Sequence, residues 1–280
     1  MLELDGMNED SLTDMLKVSF SWENWAAILE ISDKLFELAV LTYGSHQQGA
    51  KKYYLKKNIV YYLGYSACMK GIAYQKLGNL AESRKCIGLY SDLSWITDED
   101  QEAAAEVEYY RNIAIANTFV IDLLEGKVEV LPDYVEFIRT GDQEELLACL
   151  ITVLESAIKY NFSIDWVLDE FNEPLQELSC REKQEDIRYY IDYMHLSAIY
   201  LYKREKIHDA INLTLYILVI SSKLYDGTGF RKIVSFYEHI RSHATAEQQE
   251  SYQNIMKNIL EREFLKDEKG DLVINSRIVD

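Results

Sequence analysis

Tyrosine is where this sequence concentrates groups able to recognise a ligand. The chain holds 21 tyrosines, many of them clustered: Tyr53-Tyr54, Tyr61-Tyr62 with Tyr65, Tyr109-Tyr110, Tyr189-Tyr190 with Tyr193, and Tyr200 with Tyr202. A phenol combines a broad apolar face with a hydroxyl that donates and accepts, at modest entropy cost, and that suits peptide recognition. Adjacent residues on a helix point about 100° apart, so one tyrosine of a pair packs while its neighbour reaches a groove or solvent. Filling wide gaps between helices is an equally simple use of the same rings.

Helical spacing sorts these tyrosines into lines. Tyr65, Cys68, Ile72 and Gln75 form one; Tyr109, Asn112, Ala116 and Val120 form a second; Asp192, His195, Ile199 and Tyr202 form a third. Asn112 stands out because an amide donates to and accepts from a peptide backbone at once. Glu155 is the matching polar position on the helix that ends at Tyr160. Tyr65, Gln75, Tyr109, Asn112, Ala116, Glu155, His195 and Tyr202 are therefore the candidate peptide-binding residues.

Other chemistries find little support. GxSxG, Walker-type, GxGxxG and HExxH patterns are absent from the sequence. His239 and His243 share a helix face, but no two further metal ligands accompany them. Cys68, Cys86, Cys149 and Cys180 form no CxxC and sit in apolar or helical contexts, as reduced thiols of a cytoplasmic protein would. Carboxylates are abundant as on any solubilising helix surface. The expectation is a non-enzyme without cofactor or metal. One local charge feature opposes the global balance: Lys51, Lys52, Lys56 and Lys57 crowd what reads as a helix start, where the dipole disfavours cations. A neighbouring acidic helix, a ligand carboxylate or another subunit would each answer them.

The elements that position these residues read as helices throughout. Apolar periodicity predicts helices over 9–18, 22–43, 50–77, 80–91, from Thr97 to Leu124, from Leu131-Pro132, from Gly141-Asp142 to Tyr160, from a Ser163 cap to Phe171, and over 182–204, 207–224, 229–242 and 245–265. Gly44 to Gly49 reads as a loop. Residues 1–265 are expected to form one helical-repeat domain and 266–280 a tail. Only 2 prolines and 12 glycines leave little room for an all-β fold or Gly-rich nucleotide loops.

Helix pairs recur. In YSACMKGIAYQKLGNLAESRKCIGLY, Gly71, Tyr74, Gly78 and Leu80 have tetratricopeptide spacing, with Ser83 at the small-residue position and Tyr90 at a later core position. Ala198, Leu201, Ile207 and Ala210 repeat that register, with weaker units near Phe119 and Leu154. The expected fold is all-α, a tetratricopeptide-like superhelix of antiparallel helix pairs, with an irregular helical bundle as the alternative.

Charge and hydropathy narrow the partners. Lys plus Arg total 29 against 47 Asp plus Glu, a formal charge of -18 over 280 residues. Such a chain repels phosphate backbones and anionic lipid, so neither nucleic acid nor membrane is expected as a direct partner. The N-terminus is acidic and lacks the apolar core of a signal peptide.

The stretches YYLGYSACMKGIAYQKLGNLAESRKCIGLYSDLSW and EVEYYRNIAIANTFVIDLLEGKVEVLPDYVEFI resemble the C-terminal sensor region of helix-turn-helix regulators from Gram-positive bacteria. These belong with the peptide-pheromone receptors grouped as RRNPP (Rap, Rgg, NprR, PlcR, PrgX), to which phage arbitrium receptors are similar. The likeness runs from Trp22 to Phe264. It implies a right-handed superhelix, a homodimer, and a short imported signalling peptide in the concave groove that controls a transcriptional output. In that family, groove asparagines hold the peptide backbone, and Asn112 and Asn117 are the residues that match here. The chain departs at its N-terminus, where residues 1–21 cannot hold a helix-turn-helix. The implied unit is a sensor. The alternative is a scaffold that binds a partner protein without a small ligand.

Overall fold

A computed structural model describes residues 3–48, 55–96, 101–141, 145–178, 184–222 and 227–268. Among these residues the fold is all-helical, with thirteen α-helices and no strand. The chain divides into two compact units, Met1–Arg139 and Thr140–Asp280.

In the first unit α1 spans Glu9–Ser21, α2 Trp25–Gln47, α3 Ile59–Lys76, α4 Leu80–Tyr90, α5 Gln101–Leu124 and α6 Leu131–Thr140. Asparagine starts each of the first four. The side chains of Asn8, Asn24, Asn58 and Asn79 accept from the backbone N–H of Ser11, Ala27, Tyr61 and Glu82 at 2.9, 3.2, 3.0 and 3.3 Å. A cap of this kind is worth about 1 kcal/mol. The core is built from Leu12 and Leu16 of α1, Ile28, Ile31 and Leu35 of α2, and Val60 and Leu63 of α3, all without solvent exposure. From α1 to α5 consecutive helices pack in order, and α3 also touches both α1 and α5. The odd-numbered helices α1, α3 and α5 thus share one layer, with α2 and α4 in the other.

The α3–α4 pair follows the sequence expectation closely. A Cβ added at Gly71 would lie 3.2 Å from the Cβ of Cys86 and near Ser83, so small residues here let the two helices approach. Tyr90 is buried as expected. The turn between the helices has Gly78 at φ +78°, where a glycine avoids the Cβ penalty.

That turn recurs. Glu23, Gly78, Gly126 and Glu205 all have positive φ. In each case the residue's N–H bonds the carbonyl three positions back, and the next N–H bonds the carbonyl five before it: Phe20 and Ser19, Gln75 and Tyr74, Leu123 and Asp122, Tyr202 and Leu201. This is the Schellman arrangement. In three of the four, the next α-helix begins two residues later, at Trp25, Leu80 and Ile207; after Gly126 a 3-10 turn over Val128–Val130 leads into α6.

In the second unit α7 spans Leu146–Tyr160, α8 Asp165–Glu170, α9 Asn172–Leu178, α10 Gln184–Lys203, α11 Ile207–Ser221, α12 Gly227–Ile240 and α13 Ala246–Glu268. Helix α10 packs on α7 and α11 and touches α12, while α11 packs on α12 and α13. Ile191, Met194, Ala198, Ile211, Leu218, Ile233 and Ile240 form a core. Buried Tyr200 ties α10 to the start of α8: its hydroxyl accepts from the Ile164 N–H at 3.0 Å and donates to Asp165 Oδ1 at 2.8 Å. Tyr237 stacks on Tyr252 with ring centres 3.9 Å apart.

Several boundaries differ from the sequence reading. Gly44 belongs to α2, which runs on to Gln47. Tyr43 meets Trp95 edge-on at 5.6 Å and takes a hydrogen bond from Gln47 at 3.2 Å, and these contacts offset the helix cost of glycine. Helix α3 starts at Ile59, not at residue 50, because Asn58 caps it. Lys56 and Lys57 therefore precede the helix and are exposed, while Lys51 and Lys52 lie outside the described residues. Ile164, not Ser163, occupies the cap of α8. The Thr97 cap, Cys180 and the end of the tail, 269–280, also fall outside the described residues.

Candidate functional site

The α1–α3–α5 layer brings tyrosines of two sequence lines onto one face. Tyr61 and Tyr65 lie one helical turn apart on α3, and their rings stack with centres 5.4 Å apart and planes 7° from parallel. Both are half-buried, whereas Tyr109 on α5 is 53% exposed. Burial raises the Tyr61 phenol, and the charges of Glu106, Asp14 and Asp10 add to the effect, as does neighbouring Tyr109. Burial likewise raises Tyr65, with Tyr61, Cys68, Tyr109 and Asp14 contributing. The face is thus a phenolic strip on α3, with Asp10 and Asp14 of α1 and Glu106 and Tyr109 of α5 close by.

Two lysines among the described residues stand close to this face. Lys57 Nζ stands 5.9 Å above the centre of the Tyr61 ring. Lys17 reaches Asp14 at 4.0 Å in a largely exposed pair, a weak interaction. Glu106 is held above the usual carboxylate range by burial, against the pull of Lys57 and with help from Glu102. Asp10 accepts from the Tyr62 hydroxyl, which in turn accepts from the Lys57 backbone N–H at 3.1 Å. That pair pins the start of α3 to α1.

The second sequence line divides along α5. Tyr109 and Asn112 are exposed, Ala116 is half-buried and Val120 is buried. Asn112 sits one turn from Tyr109 at the open end, where its amide is accessible to a ligand. Asn117 has a different setting. Its Nδ2 donates to the Tyr90 hydroxyl at 2.8 Å and lies 3.9 Å from Cys68 Sγ, so it joins α5 to α4 and α3. Gln75 is half-buried near the end of α3.

Glu155, His195 and Tyr202 belong to the second unit. His195 meets Phe236 edge-on at 5.8 Å, and Tyr202 meets Phe236 and His239 at 6.0 and 5.9 Å. The third line therefore faces α12. Burial, with the charge of Lys232, lowers His195 to about 4, and its Nδ1 is buried without a hydrogen-bond partner. Among the described residues no group of three His, Cys, Asp or Glu could hold a metal ion, and no helix is long and apolar enough to cross a membrane.

Tyr61, Asp10, Asp14, Glu106 and Lys57 were not among the sequence candidates. Tyr61 carried a signal, since it lies four residues before Tyr65 on the same stripe. The acids of α1 carried none, because nothing in their spacing says that α1 lies against α3. Comparison of the chain with protein-family models, with curated proteins and with solved structures gives no match.

Proposed function

We propose that the chain is a tetratricopeptide-like, peptide-sensing regulatory domain of the cytoplasm. It takes a short signalling peptide on the α1–α3–α5 face and controls a transcriptional output, working as a homodimer. The carrying observation is the placement of Tyr61, Tyr65 and Tyr109 on one layer, with the accessible amide of Asn112 a turn beyond Tyr109. Rings supply contact area, and the amide supplies a donor and an acceptor for a peptide bond. Recurring helix pairs with the same turn support the repeat architecture. Regulation requires that the peptide bind one conformation better than another, because equal affinity shifts nothing.

A second reading, a scaffold that binds a partner protein without a small ligand, is favoured by one observation. Helices α2 and α4 expose Leu41 (62%) and Leu89 (47%), with Trp95 (51%) just beyond α4.

Native mass spectrometry of the protein with the short-peptide fraction of spent culture medium tests the two. A discrete added mass that Asn112→Ala abolishes, with the fold intact, supports the sensor. No adduct at high peptide concentration, together with a protein complex lost on Leu41→Ser or Leu89→Ser, supports the scaffold.

A further inference from the structure

The chemistry of the face narrows the ligand. Two near-parallel phenol rings stack on α3, and Tyr109, which meets Tyr110 of the same helix edge-on, lies near enough to act on both, with more than half its area open. Carboxylates stand on both flanks, Asp10 and Asp14 from α1 and Glu106 from α5, each near enough to act on Tyr61. The ring faces and the carboxylates favour the same thing, a positive charge. The chain already places one there, since the Lys57 ammonium lies over Tyr61 from the segment preceding α3. That contact is long, at 5.9 Å, and Lys57 is exposed, so a ligand cation can take its place.

Resting on the peptide-binding reading above, we infer that the peptide presents an arginine or lysine side chain to this face, where its cation lies on the rings of Tyr61, Tyr65 and Tyr109 within reach of Asp14 and Glu106, displacing Lys57. Arginine fits best, because its flat guanidinium stacks on aromatic rings and still reaches carboxylates with its edge. Free polyamines satisfy the charge but leave Asn112 without a peptide bond to hold. Nucleic acid is disfavoured by the formal charge of -18 on the chain.

Affinity selection on the purified full chain tests this. The probes are mixtures of N-acetylated hexapeptide amides, some with arginine or lysine fixed at one position and others with norleucine there and no basic residue elsewhere. Retention confined to the basic mixtures is expected, with affinity falling as salt rises. Tyr65→Leu weakens retention by about threefold to thirtyfold, the range of one cation–π contact. Tyr65→Phe keeps the ring and leaves binding close to wild type. Asp14→Asn alters an exposed side chain, so it leaves the fold intact; it weakens binding and flattens the salt dependence. Lys57→Ala tightens binding by vacating Tyr61.

Equal retention of the norleucine mixtures overturns the cationic assignment and leaves the peptide reading standing. Retention of basic peptides that is indifferent to both Tyr65→Leu and Asp14→Asn places their site elsewhere and overturns the assignment. Retention of no peptide overturns both readings, and a polyamine bound in its place identifies the face as a small-amine site.

Discussion

Tyr110 lies directly over Gly64. A methyl group built on Gly64 would meet the Tyr110 ring at 2.3 Å, inside any tolerable contact. The ring is buried, and its hydroxyl donates to the Tyr61 carbonyl at 3.1 Å, so it cannot move without losing that bond. The close approach of α5 to α3, on which the tyrosine face depends, therefore rests on the absence of a side chain at one position. Gly64→Ala is expected to destabilise the first unit by about 1–3 kcal/mol through overpacking, although alanine is the better helix former. Thermal and urea denaturation measure this, and an unchanged midpoint would refute the close contact.

The two asparagines of α5 separate a structural role from a binding one. Asn117→Ala removes the donor that meets the Tyr90 hydroxyl inside the helix packing. The lost hydrogen bond should cost about 0.5–1.5 kcal/mol, because the Tyr90 hydroxyl keeps Cys68 as a partner. Asn112→Ala changes an exposed residue and should shift stability by less than about 0.5 kcal/mol, while removing peptide binding. Melting curves and a binding assay on both variants show whether the effects divide in this way.

Glu23 and Glu205 hold the conformation that Gly78 and Gly126 hold at equivalent turns, with φ of 54° and 63°. A side chain in that region is strained by about 1–2 kcal/mol, and glycine relieves this while adding freedom to the unfolded chain. Glu23→Gly and Glu205→Gly should each be neutral to stabilising by about 1 kcal/mol. Gly78→Ala should be destabilising. Denaturation midpoints of the three variants give the signs.

His195 makes the second unit sensitive to acid. Its folded-state value of about 4 lies below the ordinary 6.5, so the unfolded chain binds its proton first as pH falls. Stability from this group is complete above pH 6.5 and is lost as pH drops toward 4, by about 1–3 kcal/mol in all. Protonation would place a cation against Phe236 and near Lys232. His195→Phe should flatten the dependence across that window, as followed by urea midpoints from pH 7 to pH 4. An equally steep loss in the variant would assign it to carboxylates.

Residue spacing revealed the helices and the local pairing, and for a physical reason. Gly71, Ser83 and Gly78 act within one hairpin, where chain neighbours are also spatial neighbours. Periodicity also placed the break at Glu205, between helices read over 182–204 and 207–224, but glutamate gave no sign of its positive φ. Asn58, the cap of α3, was missed, because the run of lysines and tyrosines before it continued a helical pattern and hid the boundary. The candidate site was half legible. Periodicity put Tyr65 and Tyr109 on accessible stripes, but it says which side of a helix is open and not which helix stands beside it. Asp10, Asp14 and Glu106 join the face only through packing of α1 and α5 against α3. Asn117 shares its helix with Asn112 but points five residues' rotation away, toward Tyr90.

The stacked phenols also make the protein legible to light. Tyr61 on Tyr65 in the first unit, and Tyr237 on Tyr252 in the second, are rings fixed in asymmetric surroundings. Rigid aromatic pairs of this kind produce near-ultraviolet circular dichroism that vanishes when packing is lost. The indoles are distributed unequally: Trp22, Trp25 and Trp95 belong to the first unit and Trp166 to the second. Tryptophan emission therefore reports chiefly on the half that carries the tyrosine face, and a Trp166→Phe variant would make it report on that half alone, with no dye attached.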